Sequence, residues 1–291
     1  MSASGMETSV VPPPMSVPSM GVEGRLFVVT GGTQGLGLEI ARCLKKNGAR
    51  GIALVSRSAG KGEEACSELN CDTCRVAYVC ADMSDAHAPG KMIEEAVSLF
   101  RDLGPISGVV NAAAYTARGN LFTTTADEYD GMMAINARAP FLVTQAAAKH
   151  MIEAHVRGSI VNICSVASTG GAPFIMAYCA SKAALVCQTK NNAAELAPSG
   201  IRVNGVNMGW CYTDNEDALQ TRQNGGDSRW IDKADAGVPL KRIIRPADVA
   251  ATVLFLLSDA AAMMSGGIID LHPEYAAGMQ GLAAVDSVDT R

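Results

Sequence analysis

Tyr178 and Lys182 stand four apart in "YCASK", within a stretch whose pattern predicts a helix, so their side chains share one face. A phenol ionises at about 10 in model peptides, and a neighbouring ammonium favours the phenolate. The pair therefore predicts a proton donor and acceptor suited to neutral pH. Ser165 ends the preceding apolar stretch, "NICS", and its hydroxyl can hydrogen-bond a substrate oxygen. A Tyr-x-x-x-Lys spacing alone is common among surface neighbours. Its weight depends on whether the fold brings these three side chains to one edge.

Seven short apolar runs recur along the chain: 26–30, 51–56, 75–80, 106–111, 158–164, 201–206 and 266–271. Most are continuously apolar rather than alternating, as strands covered on both faces should be. Amphipathic segments such as 35–47, 90–103 and 246–259 lie between them. Strand–helix alternation predicts an α/β, doubly wound Rossmann fold: about seven parallel strands with helices on both faces. The pattern holds from 25 to 271 with no internal linker, which predicts one domain with a substrate lid at 211–245. Residues 1–24, rich in Met, Ser, Pro and Val, read as a disordered tail, and 272–291 as a C-terminal tail.

"TGGTQGLG" (30–37) follows the first strand and opens the first helix. Its spacing, Gly31-x-x-x-Gly35-x-Gly37, is not the dinucleotide fingerprint G-x-G-x-x-G, and it lacks the Lys-Ser/Thr of a P-loop. Tight packing alone would explain a glycine-rich turn. Its position favours nucleotide binding, because free N–H groups and the helix dipole attract a pyrophosphate there. Ligands of open α/β sheets bind beyond the carboxyl ends of the strands, the edge that Ser165 also reaches.

The 291 residues are 48% hydrophobic and 18% charged, with a formal net charge of −5. So weakly acidic a chain offers no electrostatic footprint for nucleic acid or for an anionic membrane. No apolar run approaches a membrane span, and neither a secretory signal nor a transit peptide is legible, which predicts a cytoplasmic protein. Nine scattered cysteines do not suggest a disulfide framework. Cys71 and Cys74 form a CxxC with Cys66 and Cys80 nearby, but a zinc site needs a second ligand pair, which neither the cysteines nor His87, His150, His155 and His272 supply. Reduced thiols are expected, and no metal.

Taken together, these motifs resemble the short-chain dehydrogenase/reductase family over residues 25–270. "TGGTQGLG" resembles its TGxxxGxG cofactor loop, and "NAAA" at 111–114 resembles its Asn-Ala-Gly segment. Asn136, Ser165, Tyr178 and Lys182 match the family's catalytic tetrad in order. The resemblance implies hydride transfer between a nicotinamide cofactor and a carbon bearing oxygen, without a metal. Tyr178 would give or take the hydroxyl proton, Lys182 hold the nicotinamide ribose and acidify Tyr178, Ser165 orient the substrate oxygen, and Asn136 position a water in a proton relay. The implied cofactor-binding set is Gly31, Thr33, Gln34, Gly35, Leu36, Gly37, Ser56, Arg57, Ser58, Asp82, Met83, Asn111, Tyr178, Lys182, Gly209, Cys211 and Thr213. Asp82 would accept from the adenine amine, and Thr213 would reach the nicotinamide amide or the phosphates. A homotetramer or homodimer is implied, built partly from the helices at 137–156 and 176–197.

The second strand ends "LVSRSAGK", with no carboxylate before Glu63. An NAD enzyme usually places Asp or Glu there for the ribose hydroxyls, whereas Arg suits a 2′-phosphate. Arg57 therefore favours NADP(H) over NAD(H), although an Arg can also lie on the adenine face without a phosphate. Met208 stands where the family has proline, and "IIDLHPEYAAG" replaces its terminal Asp-Gly-Gly. The acidic residues Asp214, Glu216 and Asp217 in the lid suggest a sugar, a polyol or another hydroxylated substrate, against the bland reading of a solvated face. The expected activity is oxidoreduction of a secondary alcohol or ketone; the alternatives are an NAD(H) enzyme and a catalytically silent NADP(H)-binding sensor.

Overall fold

Side chains on the first strand alternate between two cores, and that alternation organises the molecule. In the computed structural model, which describes residues 18–272, β1 (Leu26–Thr30) points Phe27 and Val29 into one buried cluster and Leu26 and Val28 into another. The next strand, β2 (Gly51–Ser56), repeats this with Ile52 and Leu54 against Ala53 and Val55. A sheet apolar on both faces must be covered on both. Helices α1 (Gly35–Lys46), α2 (Ala59–Leu69) and α9 (Pro246–Leu257) contribute to the first cluster. Helices α3 (Ala88–Leu99), α5 (Ala139–Glu153) and α6 (Met176–Leu196) contribute to the second.

The remaining strands are β3 (Arg75–Cys80), β4 (Gly108–Asn111), β5 (Ser159–Ser165), β6 (Arg202–Met208) and β7 (Ile268–Leu271). All pair in parallel, in the order β3-β2-β1-β4-β5-β6-β7. The seven expected strands are thus present in one Rossmann-type sheet. The order reverses between β1 and β4, which opens a crevice at their carboxyl ends. The chain also forms α4 (Ala126–Met133) and the short helices α7 (Asp214–Gln223) and α8 (Trp230–Gly237).

Three details differ from the expectation. Val22, assigned by composition to the tail, is fully buried, and its N–H donates to Asn47 O at 2.9 Å, so the ordered domain begins before Arg25. The helix expected over 90–103 ends at Leu99, because the N–H of Leu103 turns back to Phe100 O and Gly104 adopts φ +125°. Met208 continues β6 as a regular residue, opposite Ser165 on one side and Leu271 on the other. Most of the proposed tails, 1–17 and 273–291, lies outside the described residues. Among the described residues no helix is long and apolar enough to cross a membrane.

Candidate active site

The glycines of the first loop divide the work between packing and access. Gly31 sits at φ +68°, and a Cβ there would meet the backbone of Ala113 at 3.0 Å. A Cβ on Gly37 would lie 2.2 Å from Gly31 O, so this glycine lets α1 close onto the strand end. Gly35, at φ +51°, has open space where its Cβ would point. Gln34 precedes α1 without capping it by its side chain, so the first-turn N–H groups face that space without a side-chain acceptor. Left-handed backbone, open volume and an uncapped helix N-terminus fit a pyrophosphate. Thr33 is buried and Leu36 half-buried beneath the loop.

Thr30 locks the loop to the neighbouring strand. Its Oγ1 accepts from the N–H groups of Ala112 and Ala113, at 3.1 Å each. Asn111, expected to face the cofactor, is used inside the sheet. Its Nδ2 donates to Asn162 Oδ1 at 2.8 Å, Asn162 Nδ2 donates to Thr189 Oγ1 at 2.8 Å, and Thr189 Oγ1 donates to Leu185 O. That chain fastens β4 and β5 to α6. Asn111 Oδ1 is buried and has no partner among the described residues, which leaves one acceptor at the switch point.

Beyond β2, Arg57 extends into solvent with its guanidinium 3.9 Å from Asp82. Asp82 Oδ1 accepts from the N–H of Ser84, and this bond, ahead of the charge of Arg57, holds the carboxyl below its usual range. Ser56 and Ser58 flank Arg57, with the Ser58 N–H on Ser56 Oγ, and Met83 is buried behind Asp82. Lys61, absent from the expected set, hydrogen-bonds Gln34 of the glycine loop through Nζ.

Three members of the tetrad converge, and the fourth, Asn136, reaches them through Ser181. Ser165 closes β5, 8% exposed, and its Oγ accepts from the Ala167 N–H at 3.2 Å, which starts the turn toward α6. The Ser165 and Thr116 hydroxyls lie near the Tyr178 hydroxyl and both favour its ionised form. Lys182 is buried, its Nζ 5.6 Å from the centre of the Tyr178 ring, donating to Ile163 O at 2.7 Å. Burial outweighs charge here. It draws Lys182 down to about 8 and pushes Tyr178 up to about 12, against the pull of the two hydroxyls. The expected acidification of Tyr178 is therefore corrected for the protein alone: loss of water around the phenol is the larger effect, and the ammonium is held toward Ile163 O rather than at the phenolic oxygen.

Asn136 is fully buried in a five-residue π-helical segment, Ala134–Arg138, between α4 and α5. Such single-turn insertions often mark functional sites. Oδ1 accepts from Tyr115 N–H at 2.7 Å, while Nδ2 donates to Tyr115 O at 2.8 Å and Ser181 Oγ at 3.0 Å. Ser181 Oγ in turn donates to Tyr178 O at 2.8 Å. Asn136 thereby couples the loop after β4 to the helix that carries Tyr178. Tyr115, Thr116 and Ser181 escaped the sequence reading; only Ser181 had a local signal, lying inside "YCASK".

On the lid side, Gly209 N–H donates to Leu271 O at 2.9 Å, and Cys211 is buried in an isolated bridge with Ile244, its thiol pushed up to about 12 by that burial. Thr213 caps α7, Oγ1 accepting from Glu216 N–H. Glu216 Oε1 accepts from Trp210 Nε1 at 2.8 Å, and Asp217 Oδ1 from Trp230 Nε1 at 2.9 Å. Of the three carboxylates expected to face a substrate, Glu216 and Asp217 are therefore spent holding a Trp210–Trp230–Tyr212 cluster together, and Asp214 is exposed. Among the described residues no group of acidic, His or Cys side chains could hold a metal ion.

A family model described as "Enoyl-(Acyl carrier protein) reductase" matches residues 31–271. A 2-(S)-hydroxypropyl-CoM dehydrogenase of Xanthobacter autotrophicus is 33% identical over 247 residues, spanning 84% of this chain and 94% of its own. A pig (Sus scrofa) enzyme named carbonyl reductase [NADPH] 2 is 33% identical over 89% of this chain and 99% of its own. A crystal structure from Sinorhizobium meliloti, described as a short-chain alcohol dehydrogenase, superposes with a TM-score of 0.79 at 29% identity, covering 90% of this chain and all of that one. With a glycine loop open at a helix N-terminus and Ser, Tyr and Lys gathered at the same sheet edge, the chain belongs to the short-chain dehydrogenase/reductase family and is an NAD(P)-dependent oxidoreductase of alcohols and carbonyl compounds.

Proposed function

We propose that this enzyme interconverts a secondary alcohol and a ketone with NADP(H), Tyr178 being the proton donor and acceptor. The observation that carries this reading is the contact of Ser165 and Thr116 with the Tyr178 hydroxyl, above a buried Lys182. The bound nicotinamide cofactor supplies or takes the hydride. The chain's residues do the rest. Gly35 and the first turn of α1 hold the pyrophosphate. Ser165 orients the substrate oxygen, Lys182 holds the ribose beside Tyr178, and Asn136 keeps the Tyr115 loop and α6 in register, with a relay water at its segment.

Arg57 and Lys61 support NADP(H) over NAD(H): two cations reach the rim of the crevice from the end of β2 and the start of α2, where an NAD enzyme needs a carboxylate. The pig relative's name carries the same cofactor. The lid carboxylates no longer speak for a sugar or polyol, so these stand beside other carbonyl compounds as substrate classes. A homodimer or homotetramer belongs to the same proposal, supported by Phe141 and Ile152 on α5 and Met176 on α6, all exposed apolar side chains.

NADPH oxidation across a panel of ketones, ketoses and β-ketoacyl compounds tests the reading. Tyr178→Phe should lower turnover by roughly 100-fold or more, the scale of positioned acid–base catalysis, while NADPH binding measured by fluorescence survives. Undiminished turnover in that variant would remove Tyr178 from the chemistry.

A further inference from the structure

The CxxC that neither the fold nor the crevice uses has a geometry of its own. Cys71 and Cys74 face each other across a two-residue turn, Asp72–Thr73, between α2 and β3. Their backbones exchange both hydrogen bonds, Cys71 N–H to Cys74 O at 3.1 Å and Cys74 N–H to Cys71 O at 3.2 Å. A hydrogen-bonded antiparallel pair holds its Cα atoms about 5.5 Å apart with both side chains on one face. That separation falls inside the range a disulfide spans, about 4.4–6.8 Å. Exposure divides the two: Cys71 is open to solvent, and Cys74 is 1% exposed in the core beside Leu69 and Ala65.

We propose that Cys71 and Cys74 form a redox-active dithiol that closes to a disulfide by exchange with a small-molecule disulfide. The thiolate of Cys71 attacks one sulfur of that disulfide and expels the other half as a thiol, giving a mixed disulfide on Cys71. Cys74, losing its proton to solvent, attacks Cys71 Sγ and expels the second half. Overall one small disulfide is reduced to two thiols and two cysteines are oxidised to one cystine. The chemistry of each sulfur suits its place. Hydrogen bonding to Thr73 lowers the exposed thiol of Cys71, which favours the attacking thiolate, and burial raises Cys74 to about 11, so it serves as the resolving thiol. A ring closed over two residues gains little loop entropy, so the bond is reversible rather than structural. Cys66 and Cys80 are worse partners: Cys66 sits within α2, and Cys80 lies at the far end of β3.

Oxidised glutathione is the probe. After incubation and tryptic digestion, the peptide holding both residues should lose two hydrogens, regain them with dithiothreitol, and give no backbone fragments between Cys71 and Cys74. Cys74→Ser should instead accumulate a glutathione adduct on Cys71. Cys71→Ser, which touches no part of the crevice, should leave Cys74 unmodified and turnover unchanged. A lasting adduct on Cys71 in the unmodified protein, a bond to Cys66, or no reaction at Cys71 would each overturn the proposal. The unmodified protein decides the matter even if Cys74→Ser fails to fold.

Discussion

β5 and β3 are strands of one sheet with opposite economies. Every residue of β5 is buried, and the groups at its carboxyl end hold one another: Ile163 O takes the lysine, Ser165 the phenol, Asn162 the link to α6. β3 is an edge strand, exposed at Arg75 and Cys80, and the groups near it, Arg57 and Asp82, meet at 3.9 Å with their side chains 71% and 44% exposed. A surface pair of that kind contributes about 0–1 kcal/mol to stability. A buried ammonium is different, because removing it from water opposes its charge. The difference teaches where this fold can change. On the proposed reading, reaction chemistry is tied to the core and carries its desolvation cost, whereas cofactor choice rests on solvated side chains that fold stability scarcely feels.

The strongest way to break that comparison is Lys182→Met. Turnover should fall by roughly 100-fold, as when a proton-transfer partner is lost, while the protein stays folded or gains stability. The sign follows from burial. The folded lysine, at about 8 against 10.5, has lost a proton that the unfolded chain keeps between those values, so stability rises with pH across that window. Tyr178, raised from 10 to about 12, keeps a proton that the unfolded chain loses, so stability falls with pH over that higher interval. Thermal melts should show the first slope flatten in Lys182→Met and the second persist. An unchanged slope between pH 8 and 10.5 would mean that Lys182 is solvated in the folded protein.

A milder break is Asn136→Ala, which strands the N–H and C=O of Tyr115. A buried group left unpaired costs about 1–3 kcal/mol, and these two are part-buried, so the melting temperature should drop by a few degrees and kcat should fall more than KM rises. A variant as stable as the parent would show that water replaces the amide.

The smallest effect on the fold, and the sharpest for the comparison, is Arg57→Ala. The affinity for NADPH should weaken by roughly tenfold to a hundredfold, the range of a charge-assisted hydrogen bond, with NADH affinity and melting temperature unmoved. Equal losses for both cofactors would end the phosphate role of Arg57. Lys61→Ala should add to the effect only if both cations face one phosphate.

Much of this was legible in the chain. Continuous apolar runs separated by helical patterns announced a parallel sheet, and "TGGTQGLG" could sit only where a strand meets a helix. Ser165, Tyr178 and Lys182 were legible because their neighbours fixed both their element and its end. Lys61 and Thr116 were not, since nothing local says that a lysine in α2 reaches Gln34, or that a loop threonine reaches Tyr178, more than 60 residues away in sequence. The partners of Glu216 and Asp217 were hidden for the same reason: a carboxylate in a polar stretch gives no sign of an indole waiting to donate to it.

The sequence by itself determined the strands, their order of appearance and the glycine loop between strand and helix, and it supplied the candidate reacting groups, because these follow from periodicity, turn chemistry and side-chain type. Only the tertiary structure decided their energies and their partners. Burial set the phenol high and the ammonium low, the π-helical segment turned Asn136 into a clamp on Tyr115, and the sheet's interior took Asn111 for its own hydrogen bonds. Water excluded from a site and contacts between distant segments are properties of packing, and no window along the chain contains them.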